Sequence, residues 1–173
     1  MATRIGIGLL GLGTVGAGVA SILNSPKGRH PLITDLELVR VAVRDLERSR
    51  PIAIPNDRLT TDPNEVVDDP NVHVVVEVIG GIEPARTLIM RAITAGKSVV
   101  TANKAVIARH GEEIAAAAAA AGVYVLIEAA VGGGIPIIEP LKQSLGSNRI
   151  ERVSGIINGT TNYILSRMAD EGA

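Results

Sequence analysis

Gly11-Leu12-Gly13-Thr14-Val15-Gly16 is the first stretch whose residue types and spacing point to a chemistry. It fits G-x-G-x-x-G, the turn through which a strand hands over to a helix around a pyrophosphate. The first glycine permits the tight turn, the second lets a phosphate approach the backbone, and the third lets helix and strand pack closely. A helix opening at Thr14 offers free N–H groups and partial positive charge, so Thr14 and Val15 join the three glycines as candidate contacts to a dinucleotide. The next discriminating position is the end of the second strand. An acidic residue there binds the ribose hydroxyls of NAD, whereas an arginine favours the extra phosphate of NADP. That strand ends at Val43 and is followed by Arg44-Asp45. Arg44 points to NADP, and the adjacent Asp45 leaves NAD as the alternative. Asp35 and Glu37 lie nearer the usual spacing but at the start of the strand, the wrong end.

The elements that must hold these residues follow from apolar patterning. Arg4 to Leu10, Leu36 to Val43, Val72 to Ile79, Ser98 to Thr101 and Val123 to Ile127 read as strands, rich in Val and Ile. Helices are expected over Thr14–Leu23, from Glu83-Pro84 to about Ala95, and from Gly111 to Ala121, with Gly96 and Gly122 as stops. The stretch from Arg44 to Pro63 reads as mostly irregular, and Asp68-Asp69 as a solvated turn. Strands alternating with helices predict an α/β fold, a Rossmann-type doubly wound parallel sheet. This domain is expected to occupy residues 1–130. After Glu128 the texture changes to a glycine-rich joint. Ile137 to Leu145 then reads as a helix, Arg149 to Ile157 as a strand and Thr160 to Ala169 as a helix. Residues 131–173 therefore read as a hinge and the start of an α+β substrate and dimerisation domain, too little to bury a core of its own.

Composition narrows the classes further. The net charge of −1 gives no reason to expect a nucleic-acid partner. With no cysteine there is no disulfide, thiolate metal site or thiol nucleophile, which is compatible with the expected cytoplasmic location. The longest apolar stretch, from Ile114 to Ile127, is interrupted and too short to span a bilayer, so no membrane association is expected. His30, His73 and His110 are scattered and read as non-catalytic.

Four later stretches are more specific than the glycine turn. They are Glu77-Val78-Ile79-Gly80-Gly81, then Val100-Thr101-Ala102-Asn103-Lys104, then Glu128-Ala129-Ala130-Val131-Gly132-Gly133-Gly134-Ile135-Pro136, then Gly155-Ile156-Ile157-Asn158-Gly159-Thr160-Thr161-Asn162-Tyr163-Ile164-Leu165. In this order and spacing, from Ile5 to Met168, the chain closely resembles homoserine dehydrogenase. The resemblance implies an NAD(P)H-dependent oxidoreductase that interconverts aspartate 4-semialdehyde and homoserine, on the route to threonine, methionine and isoleucine. It implies a homodimer and a small-molecule substrate. It places Ile79, Gly80, Gly81, Thr101 and Asn103 at the cofactor, Lys104 at both nicotinamide and substrate as the catalytic lysine, and Thr160 in the substrate pocket. Glu128, with the backbones of Val131, Gly133 and Ile135, resembles the family's monovalent cation site, usually sodium. Elementary chemistry agrees with two of these roles. An ammonium after the fourth strand, where open α/β sheets bind ligands, is suited to polarising a carbonyl or stabilising an alkoxide. One carboxylate and several carbonyls suit a hard cation.

The family continues well past residue 173 with acidic residues and a second lysine that supply most substrate contacts. The sequence therefore reads as a fragment with a partial catalytic site. Among alternatives, aspartate-semialdehyde dehydrogenase needs a cysteine nucleophile and is excluded. Aspartate dehydrogenase and dihydrodipicolinate reductase share only the first motif. A cofactor-binding module without catalysis stays open as the alternative for the fragment, although in the parent protein it leaves Lys104 and the Asn-Gly-Thr-Thr-Asn stretch without a use.

Overall fold

A computed structural model describes residues 4–156 and 158–172. Ile5–Leu10 (β1) leads through the glycine turn into Thr14–Asn24 (α1), and Leu36–Ala42 (β2) follows. Then come Leu59–Thr60 (β3), Pro63–Asp68 (α2), Val74–Glu77 (β4), Ala85–Thr94 (α3), Ser98–Thr101 (β5), Lys104–Ala121 (α4) and Val125–Leu126 (β6). The six strands form one all-parallel sheet in the order β3-β2-β1-β4-β5-β6. The chain leaves β1 toward β2 on one side and reaches β4 on the other. The switch point therefore lies between β1 and β4, where doubly wound folds bind dinucleotides.

Period-two alternation in β1 decides which face each residue serves. Ile7 and Leu9 point to the face where Ala20 of α1 packs with Leu38 and Val41 of β2. Leu10 points to the opposite face, where Val66 and Val67 of α2, Leu88, Ile89, Ala92 and Ile93 of α3, and Val106, Ile114 and Ala118 of α4 form the larger core with Val75 and Val99. Gly6 and Gly8 share the face of Leu10. A Cβ on Gly8 would stand 2.6 Å from Val66 Cγ1 and 2.8 Å from Val72 Cγ1, so their bareness lets the α2 segment lie close on the sheet. Both cores are aliphatic, and the two tyrosines, Tyr124 and Tyr163, lie on the outside.

Several expectations are corrected. The stretch from Arg44 to Pro63 is not merely irregular: it contains β3 and leads into α2, which no expectation covered and which is opened by Pro63 and by the Asp62 carboxylate, an acceptor for the Asn64 N–H at 2.9 Å. The Asp68-Asp69 pair ends a helix rather than forming a turn: Asp68 is the last residue of α2, exposed and paired with Arg91, and Asp69 follows it, 3.6 Å from Arg40 Nε. The helix expected from Gly111 begins at Lys104, where the Asn103 side chain accepts from the Val106 N–H, and Gly111 is accommodated in its interior. The helix expected over Ile137–Leu145 forms over residues 138–144, widening to a π-type turn at Pro140–Ser144, and the N–H groups of residues 137–139 at its start bond to the Glu128 carboxylate. No strand forms over the described part of Arg149–Ile157, which has no neighbouring strand to pair with; Ile157 itself is outside the described residues. The last helix, Gly159–Glu171 (α5), forms as expected, capped by Asn158 and ended by Gly172.

Candidate cofactor site

The glycine turn sits at the switch point, and each glycine has a different reason. Gly11 takes φ +102°, a left-handed conformation that side chains resist, while its N–H bonds to the Ala42 carbonyl at 3.0 Å. At Gly16 a Cβ would fall 2.1 Å from the Gly11 carbonyl oxygen, so α1 can lie this close only without a side chain. Gly13 is different. Its φ of −80° suits any residue, and a Cβ there would meet nothing within 4 Å. Neither conformation nor internal packing calls for glycine at 13. Open space above a bare helix N-terminus is the cradle that a pyrophosphate requires. Val15, on the first turn of α1, is 54% exposed beside it, an apolar surface facing outward.

A cleft of about 450 Å³ gathers Gly11 and Gly13 with Arg44, Arg48 and Arg50 beyond β2 and with Ile79 beyond β4. An adjoining cleft of about 490 Å³ runs along α1 past Gly13, Thr14, Arg48 and Arg50. Arg48 and Arg50 were missed in the sequence, although three arginines in seven residues just past a strand end are a legible signal. Arg50 closes the loop on itself, donating to the carbonyls of Asp45, Leu46 and Arg48. Arg44, Arg48 and Lys104 enter no ion pair among the described residues.

On the far side of the switch point, β4 ends in Glu77, which is fully buried. Its Oε2 accepts from the Thr101 hydroxyl at 2.6 Å, and Oε1 accepts from the Ile79 N–H at 2.9 Å. Longer bonds of 3.4 Å reach Oε1 from the Gly80 N–H and the Asn103 amide. The Thr101 hydroxyl in turn accepts from the Asn103 N–H at 3.0 Å, and the Asn103 amide donates to the Gly81 carbonyl at 2.6 Å. Gly80 and Gly81, both at positive φ, thus form a turn tied to the residue that starts α4. Thr101 and Asn103 are buried in this network rather than lining the clefts.

Lys104 occupies the first position of α4, exposed. A cation at a helix N-terminus opposes the helix dipole by about 0.3–1 kcal/mol, so local stability does not explain it. Glu128 follows β6 in a short 3-10 turn, where N–H groups of Ile137, Ile138 and Glu139 hold its carboxylate below its ordinary pKa. The carbonyls of Val131, Gly133 and Ile135 in the same bend accept no hydrogen bond among the described residues. Thr160 lies on the exposed first turn of α5 and lines neither cleft. His73 is at the opposite edge of the sheet, accepting from the Gly6 N–H. Among the described residues no helix is long and apolar enough to cross a membrane.

Fold, strand order and glycine turn together define a Rossmann-type dinucleotide-binding domain. The family model for the homoserine dehydrogenase NAD-binding domain matches residues 11–128, and a second homoserine dehydrogenase model matches residues 136–173. The chain is 62% identical over 167 residues to the homoserine dehydrogenase of Synechocystis sp., covering 96% of this chain and 39% of that protein. It is 44% identical over 169 residues to that of Bacillus subtilis, covering 96% and 39%. The crystal structure of a homoserine dehydrogenase from Thiobacillus denitrificans is 53% identical, with a TM-score of 0.86 over 98% of this chain and 40% of that one. The chain belongs to the homoserine dehydrogenase family. It spans about two fifths of the length of the curated relatives it matches.

Proposed function

We propose that this chain supplies the cofactor-binding machinery of an NADP-preferring homoserine dehydrogenase, with NAD as the alternative cofactor, in the biosynthesis of threonine, methionine and isoleucine. The observation that carries the reading is Gly13. It is bare without internal cause, beside a free helix N-terminus and a cleft floored by Arg44. Gly11, Gly13, Thr14, Val15 and Gly16 would hold the pyrophosphate. Arg44 takes the 2′-phosphate through charge-assisted hydrogen bonds. Ile79, Gly80 and Gly81, on the other side of the switch point, would hold the ring-bearing half. Family membership supports aspartate 4-semialdehyde and homoserine as the substrate pair.

When bound, the dinucleotide supplies a hydride to the aldehyde carbon. The Lys104 ammonium donates a hydrogen bond to the carbonyl oxygen and stabilises the negative charge that grows there, which a preorganised cation does best where water is excluded. Protonation of that oxygen completes the alcohol. Thr160 contributes to the substrate pocket. Glu128 and the free carbonyls of Val131, Gly133 and Ile135 suit a monovalent cation such as sodium, because three donors leave the carboxylate lone-pair capacity to spare. The domain boundary near residue 130 and a homodimeric assembly complete the proposal.

The test is a titration of the chain with NADPH and with NADH, followed by nicotinamide fluorescence, repeated on Arg44→Ala. Saturable binding with NADPH preferred is expected. Arg44→Ala should cost NADPH about tenfold or more while leaving NADH within about twofold. Equal losses for both cofactors remove Arg44 from the phosphate, and no binding by the unsubstituted chain removes the cofactor reading.

A further inference from the structure

Glu77 is a charged side chain with no exposure at the ligand-binding edge of the sheet, and the proposed reaction assigns it no task. All its recorded donors are neutral: two backbone N–H groups, a hydroxyl and an amide. Burying a carboxylate is costly unless its oxygens are well bonded, and here an apolar residue would have filled the same space at no such cost. What the carboxylate does, and an apolar residue cannot, is grip two separate turns. One is 78–81, carrying Gly80-Gly81. The other is 101–104, carrying Lys104.

The connection is a relay with a fixed direction. The Asn103 N–H donates to the Thr101 oxygen, which leaves the Thr101 hydroxyl proton to point at Glu77 Oε2. Oε1 takes the Ile79 N–H, and the Asn103 amide returns to the Gly81 carbonyl, closing a loop of bonds between the two turns. Among the described residues no buried side-chain polar atom is left without a partner.

We propose that Glu77 is a positioning residue that, through Thr101 and Asn103, locks the Gly80-Gly81 turn to the start of α4, so that the nicotinamide ring and Lys104 are held in one fixed relation. This rests on the cofactor reading proposed above. The network lies on the β4–β5 side of the switch point, away from Arg44 beyond β2. It therefore serves the ring half of the dinucleotide and leaves the adenosine half alone.

The whole chain is tested by calorimetry with two ligand pairs that differ only in the nicotinamide ring: NADPH against 2′-phospho-ADP-ribose, and NADH against ADP-ribose. Glu77→Gln keeps the size but turns a donor toward Thr101 and orphans its proton; Thr101→Val removes the hydroxyl; Thr101→Ser keeps it. Each of the first two is expected to lose roughly tenfold in dinucleotide affinity and less than about twofold in the ring-less analogue. Thr101→Ser should retain the original ratio. The double variant should lose little more than either alone, since both break one relay. A parallel loss of both members of a pair marks a general structural role and overturns the proposal, as does unchanged dinucleotide affinity. An unsubstituted chain that binds both members of a pair equally keeps the cofactor reading and overturns this proposal alone. One that binds neither overturns both.

Discussion

Glu128 shows how a single side chain organises its surroundings. Its two oxygens gather the N–H groups of Ile137, Ile138 and Glu139 from about ten residues away, and these bonds lower its pKa. A carboxylate whose folded pKa is depressed contributes stability that is present above its unfolded pKa and lost as pH falls through the folded one. The amide resonances of Ile137 and Glu139 should therefore shift in acid with a midpoint below that of an ordinary glutamate, and Glu128→Gln should abolish the transition. A midpoint at the ordinary glutamate value would show that the carboxylate does not hold the bend. At this scale the sequence was partly legible. Gly11, Gly13, Gly16 and Arg44 declare themselves by spacing. Glu77 stood in a motif but looked like the end of a buried strand, because its partners, Thr101 and Asn103, lie more than twenty residues away.

At the scale of elements, α2 is the informative case. Parallel strands of one sheet need a crossover between them, and the chain leading from β2 toward β4 reads as mostly irregular from Arg44 to Pro63. The crossover is there, but as a helix of six residues with only Val66 and Val67 buried, too short to display a helical period. Its presence was written instead into its neighbour, as glycines at 6 and 8 of β1. Gly8→Ala should destabilise the fold by about 1–3 kcal/mol in urea denaturation, because the new Cβ overlaps Val66 and Val72. A neutral result would mean that α2 can slide off the sheet without cost. Strands β1 and β5, by contrast, were legible almost to the residue, since buried parallel strands read as continuous apolar runs. The start of α4 was obscured by Gly111, which looks like a break and is not one.

At the scale of the molecule, burial is unevenly shared. Among the described residues every buried apolar one lies at or before Ala118, and all those from Lys142 to Gly172 are exposed. Removing residues 147–173 should leave the thermal midpoint within about 2 °C, since none of the described residues among them is buried. A clear drop would move the proposed boundary near residue 130 further along the chain. The sequence marked the change of texture at Glu128. It did not reveal that the segment 149–156 stays unpaired, because a strand's pattern says nothing about whether a neighbouring strand is present.

The placing of the two tyrosines outside an entirely aliphatic interior has an optical consequence. With no Trp or Phe and with Tyr124 and Tyr163 already facing water, unfolding changes the environment of no ring in the core. Intrinsic emission and near-ultraviolet dichroism should barely register the loss of the fold, although backbone dichroism will. The interior is dark, and a chromophore that enters the cleft from outside would report on it against almost no background.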